Sequence, residues 1–430
     1  MSFLRGFSSN LLGTGLVQVL GLANIALIAR GLGQEGRGYL SLLATSVLLG
    51  SLVLGEWLNR GNTYVAGKEG RTGALVGNTL AFGVGVAAVS ALAAEAAWRL
   101  ELAPFLARPG YLLVAGIFAA TLAQKAAHAI VLGEDRLHLY AALPVLFIGC
   151  YLAGTALALR VWSAGLDGVL AAWLVAAAVS LAATWAALGG GLRPRPRWDR
   201  GTLARTAVVG QRGGASATLV FLLFRVDVYL VGYLLGAAPL GVYAIALQLA
   251  EMMQRLPNVA GVVLLPKVLG GGDEEHGLSL QVARNVLLFS VAAALVVVTV
   301  GRPVIVWVFS AEFAGAHTPL MWMLPGLVAS GIGSIYNTKL AGEAYPPVTI
   351  WAPAAALAVK VALCAALIPA LGLTGAALAT SAAYLVWAGT VTARYRATAG
   401  VTWGELLRGR TAEGRLAGAG APARRPENVP

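Results

Sequence analysis

The sequence predicts an all-α membrane protein of about twelve transmembrane helices, arranged as two six-helix bundles related by a pseudo-two-fold axis along the membrane normal. Three observations lead there. Apolar runs recur along nearly all of the 430 residues, and only 12% of residues are charged, where a soluble chain has about 25%. Landmarks of the first half return in the same order in the second half. A polar stretch, Gly189–Thr206, separates the two.

Taken in order, the N-terminal stretch MSFLRGFSSNLLG leads into the first apolar run, 8–29. That run is too long for a signal-peptide core and has no clear small-residue cleavage site, so it is expected to stay as a span. Runs 39–58, 73–98, 110–132, 139–159 and 166–188 follow, each near the roughly 20 apolar residues that cross a bilayer. They complete an N-terminal bundle, 1–188. Residues 189–213, with GGGLRPRPRWDRGTLART, are expected to form a basic cytoplasmic linker. A C-terminal bundle, 214–393, then holds 214–235, 241–265, 286–308, 318–338, 348–368 and 373–393. From 394 to 430 the chain is rich in Gly, Ala, Arg and Pro, the composition of a disordered basic tail.

The net charge of +12 invites a nucleic-acid reading, but the charges fall elsewhere. With both termini in the cytoplasm, most Lys and Arg residues lie in inner loops and tails, including Arg60, Lys68, Arg136, Arg193, Arg195, Arg197 and Lys267. That is the positive-inside orientation signal of a multi-pass membrane protein, and it leaves no weight for a nucleic-acid partner.

Three landmarks repeat. Leu32, Gly33 and Gly38 match Leu235, Gly236 and Gly241; Gly133, Glu134 and Pro144 match Gly342, Glu343 and Pro353; Gly165, Leu166 and Gly168 match Gly372, Leu373 and Gly375. The displacement is a little over two hundred residues each time. A duplicated unit of six spans keeps its orientation, so its copies are related by an axis along the normal. Such a pair frames a central cavity and suits alternating access. The plainer reading is that glycine marks span ends in any membrane protein.

Four cations fall inside spans: Lys125, Arg225, Arg255 and Lys360. On insertion scales each costs about 2.5–3.5 kcal/mol at the bilayer centre, so together they demand a wet cavity, acidic partners or snorkelling. Arg225 is too deep in its span to snorkel easily. Asp227 stands two residues on and does not share its face, so it either pairs across helices or takes a coupling H+ or Na+. Glu251 and Arg255 are four apart with the acid first, the favourable order for a helical pair, so they either satisfy each other or serve substrate and ion. Lys125 is close enough to its span end to snorkel. Trp98, Trp162 and Trp307 stand near span ends as interfacial anchors. No P-loop motif for ATP occurs, the four histidines are scattered, and the two cysteines suggest neither disulfide framework nor metal site. No catalytic constellation, cofactor or metal site is expected.

Four segments carry a family likeness: ARGLGQEGRGYLSL, FRVDVYLVGYLLGAAPLGVYAIALQLAE, FSAEFAGAHTPLMWMLPGLVAS and LGLTGAALATSAAYLV. Through them the chain, from about Ser8 to Ala393, resembles the bacterial O-antigen and exopolysaccharide flippases. These share a superfamily with the MATE multidrug exporters and the lipid II flippases. The resemblance implies a twelve-helix transporter, not an enzyme, that moves a polyprenyl-diphosphate-linked oligosaccharide from the cytoplasmic to the outer leaflet. It brings glycan polymerase and chain-length proteins into view as partners. Lipid II flippases usually have fourteen spans, which disfavours that branch.

A diphosphate needs a cationic lining, which arginine grips bidentately and lysine meets as a point charge. Arg225 and Lys360 are therefore the expected substrate-binding residues, with Lys125 and Arg255 assisting; Asp227 and Glu251 are the ion-coupling candidates. A cation-coupled drug exporter is the rival reading, though four intramembrane cations against two acids favour an anionic substrate. A membrane glycan polymerase or ligase would usually have a large outer loop, and every expected outer loop here is short.

Overall fold

The computed structural model describes residues 2–70, 72–103, 105–189, 197–269, 277–342 and 346–408. These residues form helices and contain no strand. In order they are α1 (Ser2–Glu69), α2 (Thr72–Arg99), α3 (Arg108–Gly133), α4 (Leu137–Ala156), which ends in a π-helical turn, α5 (Gly165–Gly189), α6 (Arg200–Leu235), α7 (Ala237–Leu269), α8 (Gly277–Val308), α9 (His317–Gly342), α10 (Val348–Leu371), α11 (Leu373–Ala399) and the short α12 (Trp403–Arg408).

Among the described residues, ten helices are long and apolar enough to cross a membrane. The first of them is 57 residues long and is two spans: Gly33, at φ 66 and ψ −169, breaks the helix. With that division and α7, which covers the run at 241–265, the helices match the twelve expected spans.

The chain forms two compact units, one of Met1–Ala244 with Val306–Phe313, the other of Ile245–Ile305 with Ala314–Pro430. In the first, Ile28, Leu40, Val47, Ile117, Val169 and Leu170 build one buried cluster, and Val65, Leu75, Ile130 and Val131 another. Arg30 donates to the carbonyls of Trp307 and Val308, capping the last turn of α8, whose carbonyls have no partner within the helix. In the second unit, Tyr336 of α9 and Tyr395 of α11 stack at 4.4 Å, and the Gly326 N–H donates to Ser381 Oγ at 2.8 Å.

The first repeated landmark has a structural counterpart. Gly236, at φ 89 and ψ −177, breaks the chain between α6 and α7 much as Gly33 does within α1. The second glycine of each motif then meets the other motif. A Cβ on Gly38 would stand 1.9 Å from the Ala237 carbonyl oxygen, and one on Gly241 1.8 Å from that of Gln34. Gln34 and Ala237 each follow the helix-breaking glycine, so the contact is reciprocal, as between two-fold-related copies. The third landmark agrees in backbone too: Gly165 and Gly372 both have φ 57. Glu343 lies outside the described residues.

Two segments are more helical than expected. α6 starts at Arg200, inside the stretch read as linker, because the Asp199 side chain accepts from Gly201 N–H at 2.9 Å and caps it. Hydropathy cannot register the polar first turns of a capped helix. The tail read as disordered from Arg394 is helical to Ala399 and again over Trp403–Arg408. Thr402 and Glu405 form a reciprocal capping box, Thr402 N–H donating to Glu405 Oε2 at 2.9 Å and Glu405 N–H to Thr402 Oγ1 at 3.3 Å. Arg396 lies over the Trp403 ring at 4.9 Å. Residues 409–430 of that tail lie outside the described residues.

Candidate functional site

Of the six ionisable groups singled out in the sequence, Asp227 and Lys360 are fully buried. In the first unit, Asp227 of α6 is 0% exposed, and one of its oxygens accepts the Tyr243 hydroxyl at 2.7 Å. Tyr243 comes from the first two turns of α7 and is itself fully buried, so the bond ties two helices together across the Gly236 break. Two positions before Asp227, Arg225 is half-buried. The difference follows from helix geometry, because residues two apart point to different faces. On the next turn the Tyr229 hydroxyl donates to Ser46 Oγ of α1 at 3.2 Å.

Lys125 of α3 is half-buried, and its ammonium donates to Ser51 Oγ of α1 at 3.0 Å. Ser51 donates its own hydrogen to the Leu48 carbonyl at 2.9 Å, so its oxygen faces the lysine as an acceptor. Glu56, one turn beyond Ser51 on α1, pairs with Arg60 at 2.9 Å.

In the second unit, Lys360 stands in the middle of α10 and is 0% exposed. Its ammonium lies 5.4 Å from the centroid of Tyr384 on α11. A desolvated cation–π contact of this kind contributes about 2 kcal/mol, of the order of the insertion cost of one lysine. Glu251 on α7 is half-buried and Arg255, one turn later, is exposed. Between them Gln254 donates to the Leu327 carbonyl at 2.9 Å and to Ser330 of α9. Arg225 and Lys125 thus belong to the first unit, Lys360 and Arg255 to the second.

One feature escaped the sequence reading. A cavity of about 1100 Å³ runs in the first unit between α1, α2 and α3. The α2 positions that line it, from Asn78 through Phe82, Gly85, Val89 and Ala93 to Ala97, recur every three or four residues and form one continuous stripe. The signal was present as that stripe, with Gly85, Ala93 and Ala97 as its small members, but small residues on a membrane helix equally mark helix packing. Among the described residues no three His, Cys, Asp or Glu side chains cluster in a way that could hold a metal ion.

A family model described as polysaccharide biosynthesis protein matches residues 79–317. No curated protein matches the chain in sequence. Among solved structures, the lipid II flippase MurJ in its inward closed conformation is similar at TM-score 0.79 and 13% identity, over 93% of this chain and 89% of that one. An inward-facing multidrug resistance MATE family transporter of the MOP superfamily is similar at TM-score 0.74 and 15% identity, over 91% and 98%. A MOP superfamily transporter from Pyrococcus furiosus, described as having a binding pocket of reverse polarity, is similar at TM-score 0.59 and 14% identity, over 94% and 95%. At these identities the likeness is one of fold.

Proposed function

The chain belongs to the polysaccharide biosynthesis protein family, and from that membership we propose that it is an inner-membrane flippase for polyprenyl-diphosphate-linked oligosaccharide. It takes this substrate from the cytoplasmic leaflet, with both termini in the cytoplasm, and delivers it to the outer leaflet by alternating access. The observation that carries the reading is the extent of the family match, 79–317, which includes Lys125, Arg225 and Arg255; Lys360 adds a fourth intramembrane cation beyond it.

In this reading the cations hold the diphosphate and any acidic sugars. The Arg225 guanidinium grips phosphate oxygens bidentately, while Lys360 and Lys125 supply point charges and Arg255 assists. Asp227 is the leading coupling carboxylate and Glu251 the second. The glycan polymerase and chain-length proteins act on the delivered substrate.

The test is made in cells lacking the gene. The lipid-linked oligosaccharide is expected to accumulate facing the cytoplasm, and wild type but not Arg225→Ala is expected to relieve it. Normal surface glycan with raised sensitivity to cationic drugs would replace this reading with drug export. Accumulation on the outer leaflet would replace it with a polymerase.

A further inference from the structure

We propose that the groove between α1, α2 and α3 seats the polyprenyl chain of the lipid-linked substrate. The proposal rests on the flippase reading and adds to it where the tail goes while the head group crosses.

Length is the first reason. The groove follows one face of α2 from Asn78 to Ala97, about 30 Å at 1.5 Å per residue, which is the thickness of the hydrocarbon core. At about 1100 Å³ it lies just above the range for small-molecule sites, about 300–1,000 Å³. A long chain fits such a slot better than a compact drug does.

The walls are the second reason. The serine hydroxyls on the lining are turned to protein partners: Ser90 donates to the Ala87 carbonyl at 3.1 Å, and Ser46 accepts from Tyr229. What faces the groove is hydrocarbon and ring. The Gly85 position is open, since a Cβ there would meet nothing within 4 Å. Only 6% of the apolar window of α2 is buried, so the helix leaves an entry path from the lipid.

Polarity at the two ends is the third reason. One end is walled by Leu102, Ala103 and Leu106, where Ala103 N–H donates to the Tyr111 hydroxyl at 2.7 Å. The other end, cytoplasmic under the positive-inside orientation, has Asn78 and Trp198. Trp198, 52% exposed, is held at that mouth by its neighbours. Arg197 N–H donates to the Gly73 carbonyl at 3.1 Å, and Asn78 exchanges two hydrogen bonds with the Asp199 backbone, at 2.9 and 3.0 Å. Lys125 does not line the groove but bonds to a residue next to its wall on this side. Its partner Ser51 is one turn from both Val47 and Leu54, two lining residues of α1. A chain lying in the groove with its diphosphate at the cytoplasmic end therefore has a cation within reach of its head.

The experiment uses the full chain in phospholipid nanodiscs and a polyprenyl diphosphate with a diazirine near the far end of its chain. Photolabelling is expected on α2 and α3, and to fall at least tenfold in Gly85→Leu, which fills the open position. Should Gly85→Leu not fold, Val89→Trp, at a position 67% exposed, serves instead. Label elsewhere, label unchanged in the filled variant, or equal competition by excess phosphatidylglycerol overturns the proposal; the last outcome makes the groove an ordinary lipid site. Groove labelling in a protein whose deletion leaves glycan export normal would remove the flippase reading and leave the groove. Export lost on deletion with no groove labelling removes the groove alone.

Discussion

Gly38 and Gly241 meet through equivalent backbones: each stands where a Cβ would lie within 2 Å of a carbonyl oxygen on the other motif, Ala237 for Gly38 and Gln34 for Gly241. The atom in the way is backbone, so neither site can yield by turning a side chain. Gly38→Val and Gly241→Val are each expected to cost about 1–3 kcal/mol, the usual penalty of overpacking. Because both break the same contact, the double variant is expected to lose clearly less than the sum. Thermal melts in detergent read this; additive losses would mean that the two glycines are not coupled.

The repeated glycines that make this contact were legible in the sequence, because close approach of two backbones leaves glycine as the one residue that fits. The helix start at Arg200 was not, since the signal was a single cap, Asp199, inside a stretch that hydropathy reads as polar. The Thr402–Glu405 box was readable by its spacing but stood in a segment judged on composition. For the site, the sequence located the intramembrane charges but not their surroundings. Nothing local tells that Lys360 reaches Tyr384 or that Asp227 meets Tyr243, because those partners sit on other helices.

Lys360→Met separates stability from function. Losing the ammonium gives up its contact with Tyr384 and the cost of burying the charge together, and the two are of similar size, so the melting temperature should change little. If the ammonium binds the diphosphate, transport should fall at least tenfold. Lys360→Glu, which reverses the charge, should abolish it. Retained transport in a well-folded Lys360→Met would reduce the lysine to a packing role against Tyr384.

Asp227 and Tyr243 predict a split between coupling and structure. Asp227→Asn keeps an oxygen to accept the Tyr243 hydroxyl but carries no proton to exchange and no charge to attract a cation. With the negative charge gone it should fold normally and lose the dependence of transport on pH or sodium. Tyr243→Phe removes a hydrogen bond to an acid, worth about 1.5–3 kcal/mol where the acceptor is charged, and should lower stability while transport stays ion-dependent. Ion dependence unchanged in Asp227→Asn would shift the coupling role to Glu251, tested in turn by Glu251→Gln.

Asn78→Ala tests the seat of the α2–α6 connection. The Asn78 amide completes a donor–acceptor pair with the Asp199 backbone N–H and carbonyl, and Asn78 is buried. Removing it leaves both backbone groups without that partner, at a cost of about 1–3 kcal/mol where water cannot reach them. Amide exchange at 197–203 should therefore quicken, because Asp199 also caps α6 and carries Trp198. Under the groove proposal the isoprenoid photolabel should weaken with it, since Trp198 would no longer be fixed at the mouth. Asn78→Asp makes the contrast sharper: its carboxylate still accepts the Asp199 N–H but, once ionised, turns an acceptor toward the Asp199 carbonyl. It should disturb the connection at least as much as alanine does. If both variants exchange at the wild-type rate, the connection is held elsewhere, and Gly77, whose Cβ would stand 2.5 Å from the Arg197 carbonyl oxygen, is the position to test next.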